Sequence, residues 1–178
     1  MITSKFIEIK APASLKDLRI HNLKALTYPQ YNINKMKIED IIEFLSLVTS
    51  ATKNELRKIK LEDLKDILLH IVSIFSQYKI QHPEKRIIIE GKEFDLIDPK
   101  KVGVGWHIDI SNSDFEKDPG RLAALMYIER GSNYGDLDDN GNMIYSNQER
   151  EKMFLRSMPL NTYLDLVSFF LRKSLELI

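Results

Sequence analysis

The sequence contains no cysteine among its 178 residues. Without a thiol the chain cannot form a disulfide, use a thiolate nucleophile or hold zinc or an iron–sulfur cluster through cysteine. It also lacks an excess of either charge, since Lys plus Arg and Asp plus Glu each number 26. Because nucleic-acid binding depends on a surplus of positive charge, we expect no nucleic acid as a partner.

Long apolar runs are also missing. No segment approaches the roughly 20 apolar residues that a membrane-spanning helix requires, and we therefore expect no membrane partner. The first ten residues lack the apolar stretch and the cleavage site of a secretion signal. The length is sufficient for a protein that buries its own core without a metal or a disulfide.

Apolar residues recur at offsets of three and four in several segments, which predicts amphipathic helices. Thr52 followed by Glu55 predicts a capping box at the start of a short helix. Asp118 before Pro119 predicts another helix start, in which the aspartate accepts a backbone N–H and proline occupies the first helical position. The predicted helices lie at about residues 15–26, 37–49, 52–59, 62–78, 119–129, 148–157 and 161–177.

Strand patterns are few. Residues 5–9 alternate apolar and polar side chains, which predicts a short edge strand or an ordered arm. Residues 86–90 and 92–97 flank Gly91, which predicts a β-hairpin with a tight turn. The sequence therefore predicts a mainly α (α+β) fold, with one small β-hairpin packed among six to seven helices.

A break in the helical pattern occurs at His82-Pro83, because the residue before a proline avoids helical conformation. We therefore divide the chain into a helical part, residues 1–82, and a second part, residues 83–178, with the hairpin and the C-terminal helices. The alternative is that both parts form a single domain.

The segment 102–125 holds the residues that most resemble a chemical site. Gly103 and Gly105 lack the third glycine of a phosphate-binding loop. His107 and Asp109 would lie on one face of a strand, where they could share a metal, but no third ligand is evident nearby. A hydrolase or phosphotransferase built on this pair would still need a nucleophile and a charge stabiliser. A hydrogen-bonded or exposed pair is favoured, and we expect no enzyme.

His70 has no partner histidine one turn away and is expected to be an ordinary packed or boundary residue.

One polar segment, residues 136–143, matches the first eight positions of a calcium-binding EF-hand loop. Its twelfth position is Asn147, where a calcium loop requires a bidentate glutamate. Asn140-Gly141 is also the commonest pair in tight hairpin turns. We therefore expect a polar turn with no metal and no cofactor, and keep a calcium-stabilised binding module as the alternative function. The candidate ligands are Asp136, Asp138, Asn140 and Asn142.

Four aromatic residues are candidates for protein contacts. Tyr28 and Tyr31 lie in a proline-containing loop, where they either bind a partner or pack on the chain's own core. Trp106, the only tryptophan, either anchors the fold between helices or faces a partner. Phe169 lies in the aromatic last helix, which either docks on its own domain or remains partly exposed for a partner.

Several short segments together carry a resemblance to a known family. They are residues 18–26, 41–47, 88–94, 105–110 with 118–125, 134–136, 139–141 and 169–174. These segments resemble a family of small tailed-bacteriophage proteins that assemble the tail or the baseplate hub. The resemblance implies a non-enzymatic virion structural or assembly protein of the tail, baseplate or neck, located in the virion or the host cytoplasm. It implies other virion proteins as partners, with a homo-oligomeric ring as one arrangement, and no cofactor.

Overall fold

The computed structural model of this protein describes residues 2–4, 7–27, 36–114, 117–137, 139–141, 143 and 148–175. The chain divides into two compact units, one of residues 1–18 and 22–79 and the other of residues 19–21 and 80–178. Within the described part of the chain, no helix is both long enough and apolar enough to cross a membrane.

The first unit begins with a short antiparallel hairpin of β1 (Ile2–Ser4) and β2 (Ile7–Ile9), in which Ile2 lies opposite Ile9. The prediction of one strand over residues 5–9 is thus corrected to two strands. The reason is that β1 supplies the pairing partner that a single alternating segment does not reveal.

The next segment corrects the predicted α-helix at 15–26. Two 3-10 helices occupy it, Leu15–Asp17 and Ile20–Thr27. Asp17 Oδ2 accepts the backbone N–H groups of Ala13 and Ser14, both at 2.9 Å. This local cap closes the first turn, and Leu18 then adopts an extended conformation with ψ 157°. The irregular spacing of the leucines therefore corresponds to two short helices.

Three α-helices complete the first unit: α1 (Ile38–Val48), α2 (Lys53–Leu56) and α3 (Leu61–Gln77). The predicted capping box is confirmed, since Glu55 N donates to Thr52 Oγ1 at 3.3 Å and Thr52 N donates to Glu55 Oε2 at 2.8 Å. Each fully buried leucine or isoleucine contributes roughly 1.5–3 kcal/mol. The apolar faces bury Ile41, Ile42, Phe44, Leu45 and Val48 from α1, and Leu64, Ile67, Leu68 and Ile71 from α3.

A three-stranded antiparallel sheet organises the second unit. Its strands are β3 (Arg86–Ile89), β4 (Lys92–Leu96) and β5 (Tyr127–Glu129), in the order β3-β4-β5. The predicted hairpin is confirmed, and its turn residues Glu90 and Gly91 have φ angles of 51° and 80°, as a two-residue hairpin turn requires. The third strand corrects the predicted helix at 119–129, which ends at Met126 because the following residues pair with β4.

The second unit also contains four helices: α4 (Val104–Ser111), α5 (Pro119–Met126), α6 (Gln148–Ser157) and α7 (Leu160–Leu175). Pro119 begins α5 as predicted, but Asp118 makes no side-chain capping hydrogen bond, which corrects its expected role. Helices α6 and α7 are confirmed, and Met153 and Phe154 are buried. The mainly α (α+β) fold is likewise confirmed.

Arg150 of α6 is buried among aromatic side chains. Its guanidinium carbon lies 5.5 Å from the ring centre of Phe94 and 5.9 Å from that of Phe154. Its Nη2 donates to the carbonyl oxygens of Ala124 and Tyr127. Burial lowers the pKa of Arg150 to about 10, with the negative charge of Glu129 acting in the opposite direction. The side chain therefore joins α6 to the segment in which α5 passes into β5.

Candidate interaction surfaces

Helix α4 is fixed from its inner face by Trp106. The indole Nε1 donates to the carbonyl oxygen of Leu125 at 2.8 Å, and the side chain is only 1% exposed. Ile110, one turn later, is buried beside it on the same face. Trp106 thus anchors the fold between helices, and its side chain is not accessible to a partner protein.

The opposite face of α4 is apolar and exposed. Val104 is 74% exposed and Ile108, one turn further on, is 55% exposed. At 3.6 residues per turn, Val104 lies about 200° around the helix from Trp106. We call Val104 and Ile108 the α4 patch. A helix anchored on one face thus presents two large apolar side chains on the other.

A second attachment joins α4 to the loop that follows β5. The Tyr134 hydroxyl donates to Asp109 Oδ2. The Tyr134 ring lies beside Gly105, since a Cβ atom at this position would be 3.8 Å from Tyr134 Cε1, an ordinary contact distance. Trp106 and Tyr134 therefore hold α4 through two different segments, which fixes the direction in which the α4 patch faces.

The helical conformation of α4 separates His107 from Asp109 and corrects their expected placement on one face of a strand. Two residues apart on a helix differ by about 200°, so the side chains leave on opposite sides. The ring of His107 meets that of Trp106 edge-on at 5.2 Å, while Asp109 binds Tyr134. The pair therefore does not converge on a shared metal or proton. Within the described residues, no group of three or more His, Asp or Glu side chains is arranged to hold a metal.

His70 has a structural contact. Its Nε2 lies 3.1 Å from the carbonyl oxygen of Pro12, 58 residues earlier in the chain. The contact connects α3 to the segment that follows β2. This agrees with the expectation of an ordinary boundary histidine.

The candidate calcium segment is described only in part, because Asp138 and Asn142 lie outside the described residues. Asp136 Oδ2 accepts the backbone N–H of Asn133 at 2.5 Å. Leu137 and Met143 form an isolated antiparallel bridge, and Gly141 has a φ of 79°. Asn140 is exposed. These features fit the polar-turn interpretation, in which the carboxylate of Asp136 accepts a hydrogen bond from the backbone of the turn.

The remaining aromatic candidates are placed as follows. Tyr28 and Tyr31 lie outside the described residues. Phe169 is half-buried on α7, and its ring centre is 5.5 Å from that of His82. The structure therefore places Phe169 against the second unit's own N-terminal segment on at least one side.

The outer face of the sheet is a surface that the sequence analysis did not identify. Arg86 pairs with Asp95 at 2.8 Å, and Arg130 pairs with Glu93 at 2.6 Å. Ile88, which lies opposite Glu93 on the edge strand β3, is 68% exposed. The sequence of β3, Arg-Ile-Ile-Ile, gives no signal of which isoleucine is exposed, and the alternation of exposed and buried residues appears only in the structure.

At the hairpin turn, Glu90 is bound by the end of α6. Arg156 Nε and Nη2 donate to its two carboxylate oxygens at 2.7 and 2.8 Å, and Ser157 Oγ donates at 2.5 Å. The hydrogen bonds from Arg156 and then Ser157 lower the pKa of Glu90 to about 2. The turn is therefore held to α6 by a bidentate ion pair.

No family model, curated protein or solved structure matches this chain.

Proposed function

We propose that this chain is a non-enzymatic structural or assembly protein of a tailed bacteriophage, which binds other proteins of the tail, baseplate or neck. The resemblance of several short segments to tail and baseplate-hub assembly proteins supports the type of particle. The α4 patch supports the mode of action, which is contact between proteins.

The observation that carries the proposal is the exposure of Val104 and Ile108 on an immobilised helix. Exposed apolar groups that are held in place are favourable anchors, since binding costs little conformational entropy when a side chain is already positioned. Trp106 and the Asp109–Tyr134 hydrogen bond provide that positioning from behind. The patch is thus suited to a shallow apolar pocket on a neighbouring virion protein.

Co-purification tests the proposed contact. The tagged chain, expressed together with the tail, baseplate and neck proteins of the phage that encodes it, should retain at least one of them. The double variant Val104→Asp/Ile108→Asp should lose that protein, because a carboxylate in an apolar pocket has no partner. Its melting temperature should stay near that of the wild type, since both side chains are exposed.

Leu69→Asp is the matched control, because Leu69 is 54% exposed on α3. This variant should retain the virion protein. A wild-type chain that retains none of these proteins, or an α4 double variant that binds as the wild type does, contradicts the proposal. The genes beside its own provide an independent test, and neighbours unrelated to tail or neck proteins count against it.

A further inference from the structure

Asn140-Gly141 is the only asparagine–glycine pair in the sequence, and it lies in the turn between Leu137 and Met143. These two residues form the antiparallel bridge that closes the turn. Asn140 and Gly141 are both exposed. Water and hydroxide therefore reach both the side-chain amide of Asn140 and the peptide bond that follows it.

The backbone nitrogen of Gly141 is unhindered. Gly141 has a φ of 79°, and a Cβ atom added to it would have no heavy atom within 4 Å. Glycine lacks a Cβ atom of its own, which lets another group approach its backbone closely. Among the described residues, none accepts a hydrogen bond from Gly141 N. This nitrogen can therefore react with the neighbouring side chain without first leaving a hydrogen bond.

Asn112-Ser113 provides the contrast, because a small residue follows asparagine there as well. Ser113 N donates to Ile110 O and Asn112 N donates to Ile108 O, both at 3.1 Å. Ser113 Oγ also donates to Asp109 O at 2.9 Å. The nitrogen that would have to attack is thus held at the C-terminal end of α4. The end of the helix must open before Asn112 can react.

We infer that Asn140 is a site of spontaneous deamidation in the folded protein. The deprotonated backbone nitrogen of Gly141 attacks Cγ of Asn140 and forms a cyclic imide. The Cγ–Nδ2 bond breaks, and the side-chain nitrogen takes a proton from water and leaves as ammonia. Water then opens the imide at either carbonyl, which gives an aspartate or an isoaspartate at this position. The inference does not rest on the proposed function.

Either product changes the turn. A carboxylate replaces a neutral amide beside the exposed Asp139, and a formally neutral chain gains one negative charge. In the isoaspartate product the main chain passes through Cβ and becomes longer between Leu137 and Met143, so the bridge between them should weaken. Aged protein should therefore contain a more acidic species that anion exchange separates from the fresh protein.

Peptide mapping of the folded chain during incubation at mildly alkaline pH tests the inference. Trypsin places Asn112 in the peptide 102–117 and Asn140 in the peptide 131–150, so mass spectrometry follows the two sites separately. Asn140 should deamidate faster than Asn112 by about tenfold or more, because its nitrogen is unhindered and only Asn112 requires local opening. The rate at Asn140 should rise with pH, since the attacking nitrogen must be deprotonated.

The same measurement in urea separates the effect of the fold from that of the sequence, because glycine also favours this attack in an unfolded chain. Unfolding should accelerate the reaction at Asn112 and leave the rate at Asn140 nearly unchanged. Asn140→Gln is the control variant, since glutamine would have to form a larger and less favourable ring, and its peptide 131–150 should remain unmodified.

Three results would overturn the inference. In the first, Asn140 of the folded chain stays intact for as long as Asn112. In the second, urea accelerates the reaction at Asn140 as strongly as at Asn112, which would mean that the folded turn protects it. In the third, the peptide 131–150 is deamidated in Asn140→Gln as fast as in the wild type.

Discussion

Trp106 combines a buried ring with one buried hydrogen bond, and both are used to hold α4 in place. Its Nε1 donates to Leu125 O at 2.8 Å, and this hydrogen bond is buried. Trp106 therefore contributes to the core and, together with Tyr134, to the direction of the α4 patch.

Replacing Trp106 with alanine should lower the free energy of unfolding by about 3–5 kcal/mol, because it removes the ring and leaves a cavity. Trp106→Phe should lose less, since it keeps an aromatic ring and removes mainly a hydrogen bond that contributes about 1 kcal/mol. Urea denaturation followed by circular dichroism measures both. A wild-type melting temperature in Trp106→Ala would mean that the side chain contributes nothing to the fold.

Two glycines form a matched pair for a second prediction. At Gly120 a Cβ atom would lie 2.5 Å from the carbonyl oxygen of Glu151, a backbone atom of α6. Gly120→Ala should therefore destabilise the protein by about 1–3 kcal/mol, because α5 and α6 must move apart. Gly105→Ala meets only the Tyr134 ring at 3.8 Å.

Gly105→Ala should accordingly be neutral or stabilise by about 0.5–1 kcal/mol, since alanine favours a helix over glycine. Thermal unfolding of both variants checks the pair. Similar losses of stability in the two variants would contradict the close approach of α5 and α6.

At the scale of elements, the β3–β4 turn and the end of α6 are joined by Glu90. This residue adopts a positive φ of 51°, which a glutamate rarely does, and its carboxylate is bound by Arg156 and Ser157. The ion pair supports the unusual backbone conformation at the hairpin turn. The turn and the helix therefore stabilise each other.

The stability that Glu90 contributes should depend on pH. Its pKa in the folded protein is about 2, below the ordinary value of 4.5. The contribution is therefore complete above about pH 4.5 and is lost as the pH falls toward 2. The difference in unfolding free energy between the wild type and Glu90→Gln should be constant from neutral pH to about 4.5 and then shrink. A difference that persists at pH 2 would contradict the assignment.

Glu149→Gln on α6 is the control for this titration. Glu149 is exposed and faces Lys152 at 3.4 Å, three residues away. Exposed pairs of this kind contribute little to stability. Its substitution should therefore leave the acid unfolding curve close to that of the wild type.

At the scale of the whole molecule, the exposure of Val104 and Ile108 depends on contacts that other segments make with α4. Trp106 donates to Leu125 O of α5, and the Tyr134 hydroxyl donates to Asp109 Oδ2. The direction of the α4 patch is therefore a property of the assembled unit.

Much of the fold could be predicted from local patterns. Helices α1, α3, α6 and α7 follow apolar periodicity, and the β3–β4 hairpin follows strand alternation around Gly91. The capping box of Thr52 and Glu55 acts across three residues. In each case the residues that determine the structure are close together in the chain, so the sequence alone contains the pattern.

The tertiary structure decided the elements and surfaces that depend on contacts between residues far apart in the sequence. Helix α4 has little apolar periodicity and is placed by Trp106 reaching Leu125, 19 residues away. Strand β5 exists because β4 pairs with it, and Arg150 closes its edge from a position 23 residues further along the chain. The candidate surfaces follow from these placements, since exposure of Val104, Ile108 and Ile88 is known only once their neighbours are assembled. The sequence by itself therefore determined the mainly α (α+β) class and most helices, and tertiary packing decided which side chains remain available for contact.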